Sequence, residues 1–251
     1  MKIAVIGGTG LVGRNLVGIL QDQGHELVVA ARSRGIDAVT GQGLAAALDG
    51  TDVVVDVSNS GYGGCEAMMS FFRRSGMTLM AAERLAGVAH HVVLSAVGTG
   101  VLRDIGYFRA KHAQEEVVRV SGIPFTIVRS APFFEFIYSI VDTGGSGSQI
   151  RLPPISMEPV SAYDAAAMLA RTAVAEPVNG IVELAGPDLL QLYDLAEGIL
   201  VANEDTRDLK TDPLAHYFGG PVAGGALVAA AQARRTRGRF EDWLRQSLVV
   251  A

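Results

Sequence analysis

The stretch AVIGGTGLVGRNLVGIL, residues 4–20, runs from β-branched apolar residues through three glycines into an apolar-periodic segment. The run Lys2 to Ile6 predicts a strand, and the spacing of apolar residues from Leu11 to Gln23 predicts a helix. Between them Gly7, Gly10 and Gly13 form G-x-x-G-x-x-G, with Thr9 and Leu11 inside the same turn. Gly7 permits the tight bend, Gly10 lets a ligand approach the backbone, and Gly13 lets the helix lie close on the sheet. The N–H groups and positive end of that helix then face a pyrophosphate, so a dinucleotide is expected here. A merely structural bend is the competing reading; the strand before, the helix after and the next strand argue against it. No charged and apolar leader precedes the turn, so no signal peptide is expected.

Working outward, Glu26 to Ala31, Asp52 to Val57, His91 to Ser95, Phe125 to Arg129 and Gly180 to Ala185 read as further strands, with Ile36 to Thr40 as a short extra one. Helical patterns fall between them at Leu44 to Leu48, Glu66 to Ala86, Tyr107 to Val120, Ala162 to Ala175 and Leu189 to Val201. Strands this apolar are buried on both faces, and their alternation with helices predicts an α/β fold with a doubly wound parallel sheet. The Gly/Ser/Pro-rich stretch Thr143 to Pro154 reads as a loop over the carboxyl edge, where such folds bind ligands.

Composition narrows the partners. A chain of 251 residues with net charge -5 carries no general basic field, so nucleic acid is not expected. Cys65 stands alone and can make neither an internal disulfide nor a thiolate metal cluster, which fits a reducing, cytoplasmic setting. The most membrane-like stretch, Gly219 to Ala233, is too short to span a bilayer and reads as a packed helix or loop. His90 and His91 are adjacent and project to opposite faces of a strand, so no metal site is expected.

At the end of the second strand, where an acid would hold the ribose 2′-hydroxyl of NAD, the chain reads AARSRG. Arg32 and Arg34, with Ser33 between them, offer charge-assisted donors to a 2′-phosphate, and Asp37 comes too late for the ribose role. NADP(H) is therefore expected in preference to NAD(H), against the alternative of a solvated Arg pair. A second constellation is Ser95, ending HHVVLS, followed by YFRAK, where Tyr107 and Lys111 are four apart on a helix. On one helix face the ammonium lies near the phenol and would lower its pKa. Tyr107 would then transfer the proton that accompanies hydride movement, Ser95 would bind the substrate oxygen, and Lys111 would also hold the nicotinamide ribose. The competing reading is a helix-start Tyr, an exposed Lys and a Ser that serves only its turn.

With these blocks in view, the chain resembles the short-chain dehydrogenase/reductase superfamily, in its atypical NmrA-like, NAD(P)-binding branch. VVVDVSNS, AAERLAGVAHHVVLSAVG, the YFRAK block through RSAPFFEF, and PVSAYDAAAMLA carry the likeness beside the glycine turn. The resemblance implies a Rossmann-type core, taken as residues 1–130. Residues 131–251 would complete the sheet and form a small substrate-side region of the same globular unit. It also implies a catalytic Tyr and Lys where the motif survives, at Tyr107 and Lys111. The chain departs from many short-chain enzymes after its third long strand, where Ser58, Asn59, Ser60 and Gly61 replace an Asn-Ala-Gly block; Ser58 and Asn59 are taken as cofactor contacts.

Substrate signals are fewer. Pro132, Phe133 and Phe134 would form an apolar wall beside the nicotinamide, although Phe residues also serve as plain core. The tail ARRTRGRFEDWLRQ reads as a solvated helix face docked through Trp243 and Leu244. The expected function is an NADP(H)-dependent oxidoreductase acting on a small carbonyl, quinone or other apolar metabolite. The alternatives are an NADP(H)-binding redox sensor without turnover and an NAD(P)-dependent epimerase or dehydratase. A small-molecule substrate and a homodimer are the expected partners, with no membrane.

Overall fold

A computed structural model describes residues 1–61 and 63–249. In chain order the elements are β1 (Lys2–Ile6), α1 (Leu11–Asp22), β2 (Glu26–Ala30), α2 (Leu44–Leu48), β3 (Val53–Asp56), α3 (Cys65–Ala86), β4 (His90–Ala96), α4 (Gly106–Arg119) and β5 (Phe125–Ser130). They continue with α5 (Phe134–Thr143), β6 (Gly145–Ser146), β7 (Gln149–Leu152), β8 (Ser156–Met157), α6 (Ala162–Ala173), β9 (Gly180–Ala185), β10 (Leu190–Gln191), α7 (Leu192–Ala202), β11 (Asp208–Thr211), β12 (Arg234–Arg235) and α8 (Phe240–Val249).

The central sheet is seven-stranded, ordered β12-β9-β5-β4-β3-β1-β2, and its pairings are parallel. This is a Rossmann-type α/β fold. The chain passes from β1 outward to β2 and then returns to the other side of β1 with β3, which opens a crevice at the carboxyl ends of β1 and β3. One face of the sheet is covered by α1 and α6. Val12, Leu16 and Leu20 recur every fourth residue on α1, and α6 meets them with Ala162, Ala165, Ala166 and Ala173, whose small side chains let the helices approach. Ser161 caps α6 by accepting the N–H of Asp164 at 2.9 Å. On the other face α3 and α4 pack together, with Leu79, Met80 and Val118 against Val54, Val93 and Ile127.

A second apolar cluster lies beyond the sheet edge and joins α5, α7 and α8 to β7. Trp243 stands 5.6 Å from Phe134 and 5.9 Å from Phe240, ring centre to ring centre, and docks α8 there.

Three sequence expectations are corrected. Ile36 to Thr40 is not a strand: Asp37 Oδ1 accepts the N–H of Val39 at 2.7 Å and folds the segment into a turn, leaving β2 as the sheet edge. Thr143 to Pro154 is not a plain loop, since β6 and β7 form a hairpin within it and β7 pairs with β11. The tail arginines are not a helix face: Arg234 and Arg235 form β12 on the edge of the main sheet, and α8 begins only at Phe240. Gly219 to Ala233, read as a packed helix or loop, is irregular chain. Among the described residues no helix is long and apolar enough to cross a membrane.

Candidate functional site

The crevice is a cleft of about 380 Å³, walled by the turn after β1, the segments after β2 and β3, the end of β4, the first turns of α4, and the segments after β5 and around Tyr217. Its floor is the glycine turn. Gly7 has φ +79°, and a Cβ there would stand 2.9 Å from the backbone of Ser58, so the turn and the β3 exit interlock only through a glycine. A Cβ on Gly13 would come within 2.3 Å of the Gly7 carbonyl oxygen, so Gly13 is the residue that seats α1 on the turn. No side chain caps the start of α1 and its first turn holds no acid, so its positive end is left for a ligand. Ser58 Oγ is buried without a hydrogen-bond partner in the cleft wall. An open helix terminus, a backbone stripped of side chains and an orphaned hydroxyl are what the phosphates and ribose of a dinucleotide would complete.

Of the residues singled out from sequence, Gly7, Thr9, Gly10, Leu11, Arg32, Ser58, Asn59, Ser95, Tyr107, Lys111, Pro132 and Phe133 all line this one cleft. Gly13 lies beneath it. Arg32, Ser33 and Arg34 form a tight helical turn just after β2, and only Arg32 of the three faces the cleft. Phe134 does not line it: the ring is fully buried in the second cluster, 5.5 Å from that of Phe240. Its neighbour Phe136 does line it, stacked 5.7 Å from Phe133. Glu135 is spent on the start of α6, where its carboxylate accepts the N–H of Ala162 at 3.1 Å. Cys65 opens α3 outside the cleft, and its sulfur accepts from the Arg109 guanidinium. His91 binds Glu83 at 2.9 Å and His90 binds Thr126 at 2.9 Å, so the two imidazoles serve separate partners.

The proposed proton-handling residues sit in a polar network. Lys111 Nζ donates to the Leu94 carbonyl at 2.6 Å and to Gln114 Oε1 at 2.5 Å, and lies 4.6 Å over the ring of Phe72. Gln114 in turn donates to Asp56 Oδ2 at 2.8 Å, and Asp56 Oδ1 accepts the N–H of Ser58 at 2.9 Å. The ammonium is thus tied to the end of β3. Burial brings its pKa down to about 8, although Asp56 and Glu115 pull the other way. The expected lowering of the Tyr107 pKa does not occur: burial pushes the phenol up to about 12, so it stands as a proton donor at neutral pH. Ser95 donates to Glu115 Oε1 at 2.7 Å, and Glu115 also receives Arg129 at 2.9 and 2.7 Å.

Gln114 and Glu115, three and four residues beyond Lys111, lie on its face of the helix, so their part in the site was readable from that spacing. Tyr217, Phe218 and Leu227 come from irregular chain far along the sequence, where no periodicity marks them. A second cavity of about 510 Å³ adjoins the first, with Tyr107 and Phe218 on the boundary and Arg151, Asp212 and His216 on its walls. Among the described residues no group of His, Cys, Asp and Glu could hold a metal ion.

A family model described as NAD(P)H-binding matches residues 7–171. The chain is 34% identical over 145 residues to the (4-alkanoyl-5-oxo-2,5-dihydrofuran-3-yl)methyl phosphate reductase of Streptomyces griseus, a match covering 52% of this chain and 48% of that protein. It is 26% identical over 149 residues to the photosystem II assembly factor Ycf39 of Synechocystis, covering 54% of this chain and 46% of that one. These matches span about half the length of either relative. Among solved structures, a dTDP-4-dehydrorhamnose reductase from Clostridium acetobutylicum has the same fold over 100% of both chains, with a TM-score of 0.77 and 16% identity.

Proposed function

Since this chain belongs to the NAD(P)H-binding family, we propose that it is an NADP(H)-dependent oxidoreductase that reduces or forms a small carbonyl compound. The observation that carries the reading is that one cleft joins the glycine turn at the start of α1 to Tyr107 and Lys111 on α4. The bound dinucleotide would supply or take up the hydride. The chain's own residues do the rest. The start of α1 and Ser58 would hold the phosphates and ribose. Lys111, with two N–H groups already given to Leu94 and Gln114, would have a third to offer the nicotinamide ribose. Tyr107 delivers its phenolic proton to the substrate oxygen, a direction that suits a phenol held protonated.

The preference for the 2′-phosphate is part of this proposal. Arg32 faces the cleft beyond β2, and the nearby carboxylate of Asp37, which also reaches the cleft, is engaged by its own turn at Val39. So is the division of labour in which residues 131–251 build the substrate side, through Phe133, Phe136, Tyr217 and Phe218. Those rings favour a flat, apolar substrate body. The lone Cys65 supports a reducing, cytoplasmic setting.

The test is isothermal titration with NADPH, NADP and NADH, followed by NADPH oxidation over quinones, aldehydes and ketones, with Tyr107→Phe as control. Tight NADPH binding, turnover of at least one carbonyl compound and loss of that turnover in Tyr107→Phe are expected. Unchanged turnover in the variant would remove Tyr107 from the mechanism. The second reading is a redox sensor that binds the cofactor without turnover. Tight NADPH binding with no oxidation of any carbonyl would select that reading.

A further inference from the structure

Ser95 lines the same cleft as Tyr107, yet its hydroxyl proton is already committed. Glu115 is wholly buried, receives both Arg129 donors and is held below the usual carboxylate range, the burial penalty being outweighed by Arg129 and Ser95. An ionised carboxylate only accepts and a guanidinium only donates, so the Ser95 proton must point to Glu115. Thr99 lies 3.3 Å from Ser95 Oγ, but the Thr99 proton goes to the Ala96 carbonyl at 2.7 Å. Ser95 therefore has lone pairs, and no proton, left to offer a ligand in the cleft that it lines.

A carbonyl oxygen has no proton to give such a group, whereas a neighbouring hydroxyl has one. We propose that Ser95 is a hydrogen-bond acceptor toward the substrate, and that the site selects carbonyl compounds carrying a hydroxyl on the adjacent carbon. The Glu115 and Arg129 pair acts through Ser95 and is a positioning device. The inference rests on the oxidoreductase reading only in placing the reacting carbonyl at Tyr107. With the aromatic wall of Phe133, Phe136 and Phe218, the class of substrate is an aryl or similarly flat α-hydroxy ketone or aldehyde.

The probe pair is α-hydroxyacetophenone and propiophenone, which match in size and differ in a hydroxyl against a methyl. Each is titrated calorimetrically into the protein in the presence of NADP, so that no reduction occurs. The hydroxy ketone is expected to bind at least about tenfold more tightly, the discrimination a buried polar group imposes on an analogue that leaves it unpaired. In Ser95→Ala the ratio should fall to about one. Glu115→Ala should narrow it as well, because it removes the acceptor of the Ser95 proton and frees that proton to turn toward the cleft. Equal affinities in the native protein, an unchanged ratio in Ser95→Ala, or failure of both ketones to bind would each overturn the proposal. NADPH oxidation with the same two ketones separates the two readings. A binding preference without any oxidation would sink the oxidoreductase and leave the acceptor role of Ser95, and equal oxidation of both would do the reverse.

Discussion

Lys111 shows how one residue is held by terms that oppose each other. Burial pulls its pKa down, while the carboxylates of Asp56 and Glu115 pull it back up, and the balance leaves it at about 8. Because Lys111 is the proposed ribose donor, NADPH affinity should be constant at neutral pH and fall as pH rises through about 8. Lys111→Met should bind more weakly and show no such step, and calorimetry across that range reads both. Stability moves the other way. The folded pKa lies below the unfolded value of 10.5, so between the two the unfolded chain holds more protons and stability gains with pH from this group. At pH 7 the buried ammonium costs roughly 3 kcal/mol, and denaturant titrations should show that Lys111→Met abolishes the gain above pH 8. Arg32 makes a simpler case. Arg32→Ala should weaken NADPH binding by about tenfold or more, the usual worth of a charge-assisted contact to phosphate, and leave NADH binding nearly unchanged. Equal losses for both cofactors would remove Arg32 from the 2′-phosphate site.

Between elements, Glu83 on α3 and His91 on β4 form a hydrogen-bonded pair with both side chains fully buried, and burial raises the Glu83 carboxyl above its usual range. Burial would lower the imidazole pKa, but the carboxylate and its hydrogen bond outweigh it, so His91 is raised above 6.5. A raised folded pKa adds stability that is complete below about pH 6.5 and fades as pH climbs through the folded value. Glu83→Gln leaves the buried imidazole without its counter-charge and should cost about 3 kcal/mol near pH 6, with the loss shrinking at higher pH; urea titrations at several pH values measure it. This pair also marks the limit of sequence reading at the element scale. The apolar periodicities located the main strands and helices to within a few residues, because burial on both sheet faces leaves a strong pattern. They did not reveal that two adjacent histidines have separate partners, a matter of which helix passes overhead. Nor did they separate Phe133 from Phe134: the wall of the cleft and the core of the second cluster are one residue apart on a chain that is turning into α5. Ile36 to Thr40 misled for a local reason, since its β-branched content suits a strand while the Asp37 side chain captures the backbone first. The arginines of β12 misled for a distant one, because their strand exists only through pairing with β9.

At the scale of the molecule, the proposed boundary at residue 130 does not divide the hydrophobic core. The apolar layer over α1 is completed by Val160, Ala162, Ala166 and Leu169, and β9 continues the sheet beyond β5, so the first half leaves its core open without the second. The cleft has the same composition: the glycine turn and Tyr107 come from one half, and Phe133, Phe136 and Phe218 come from the other. A ligand seated there binds only the assembled chain. Thermal unfolding followed by circular dichroism and by Trp243 fluorescence, which reports the second cluster, should therefore give one coincident transition. NADPH at about one hundred times its dissociation constant should add roughly 2.7 kcal/mol, moving both signals together to higher temperature. Two separated transitions, or a shift confined to the circular dichroism signal, would mean that the α5, α7 and α8 cluster folds by itself and that the cofactor senses only the first half. In that event the aromatic wall would be a mobile cover rather than a fixed part of the site, and its rings would lose their claim to choose the substrate.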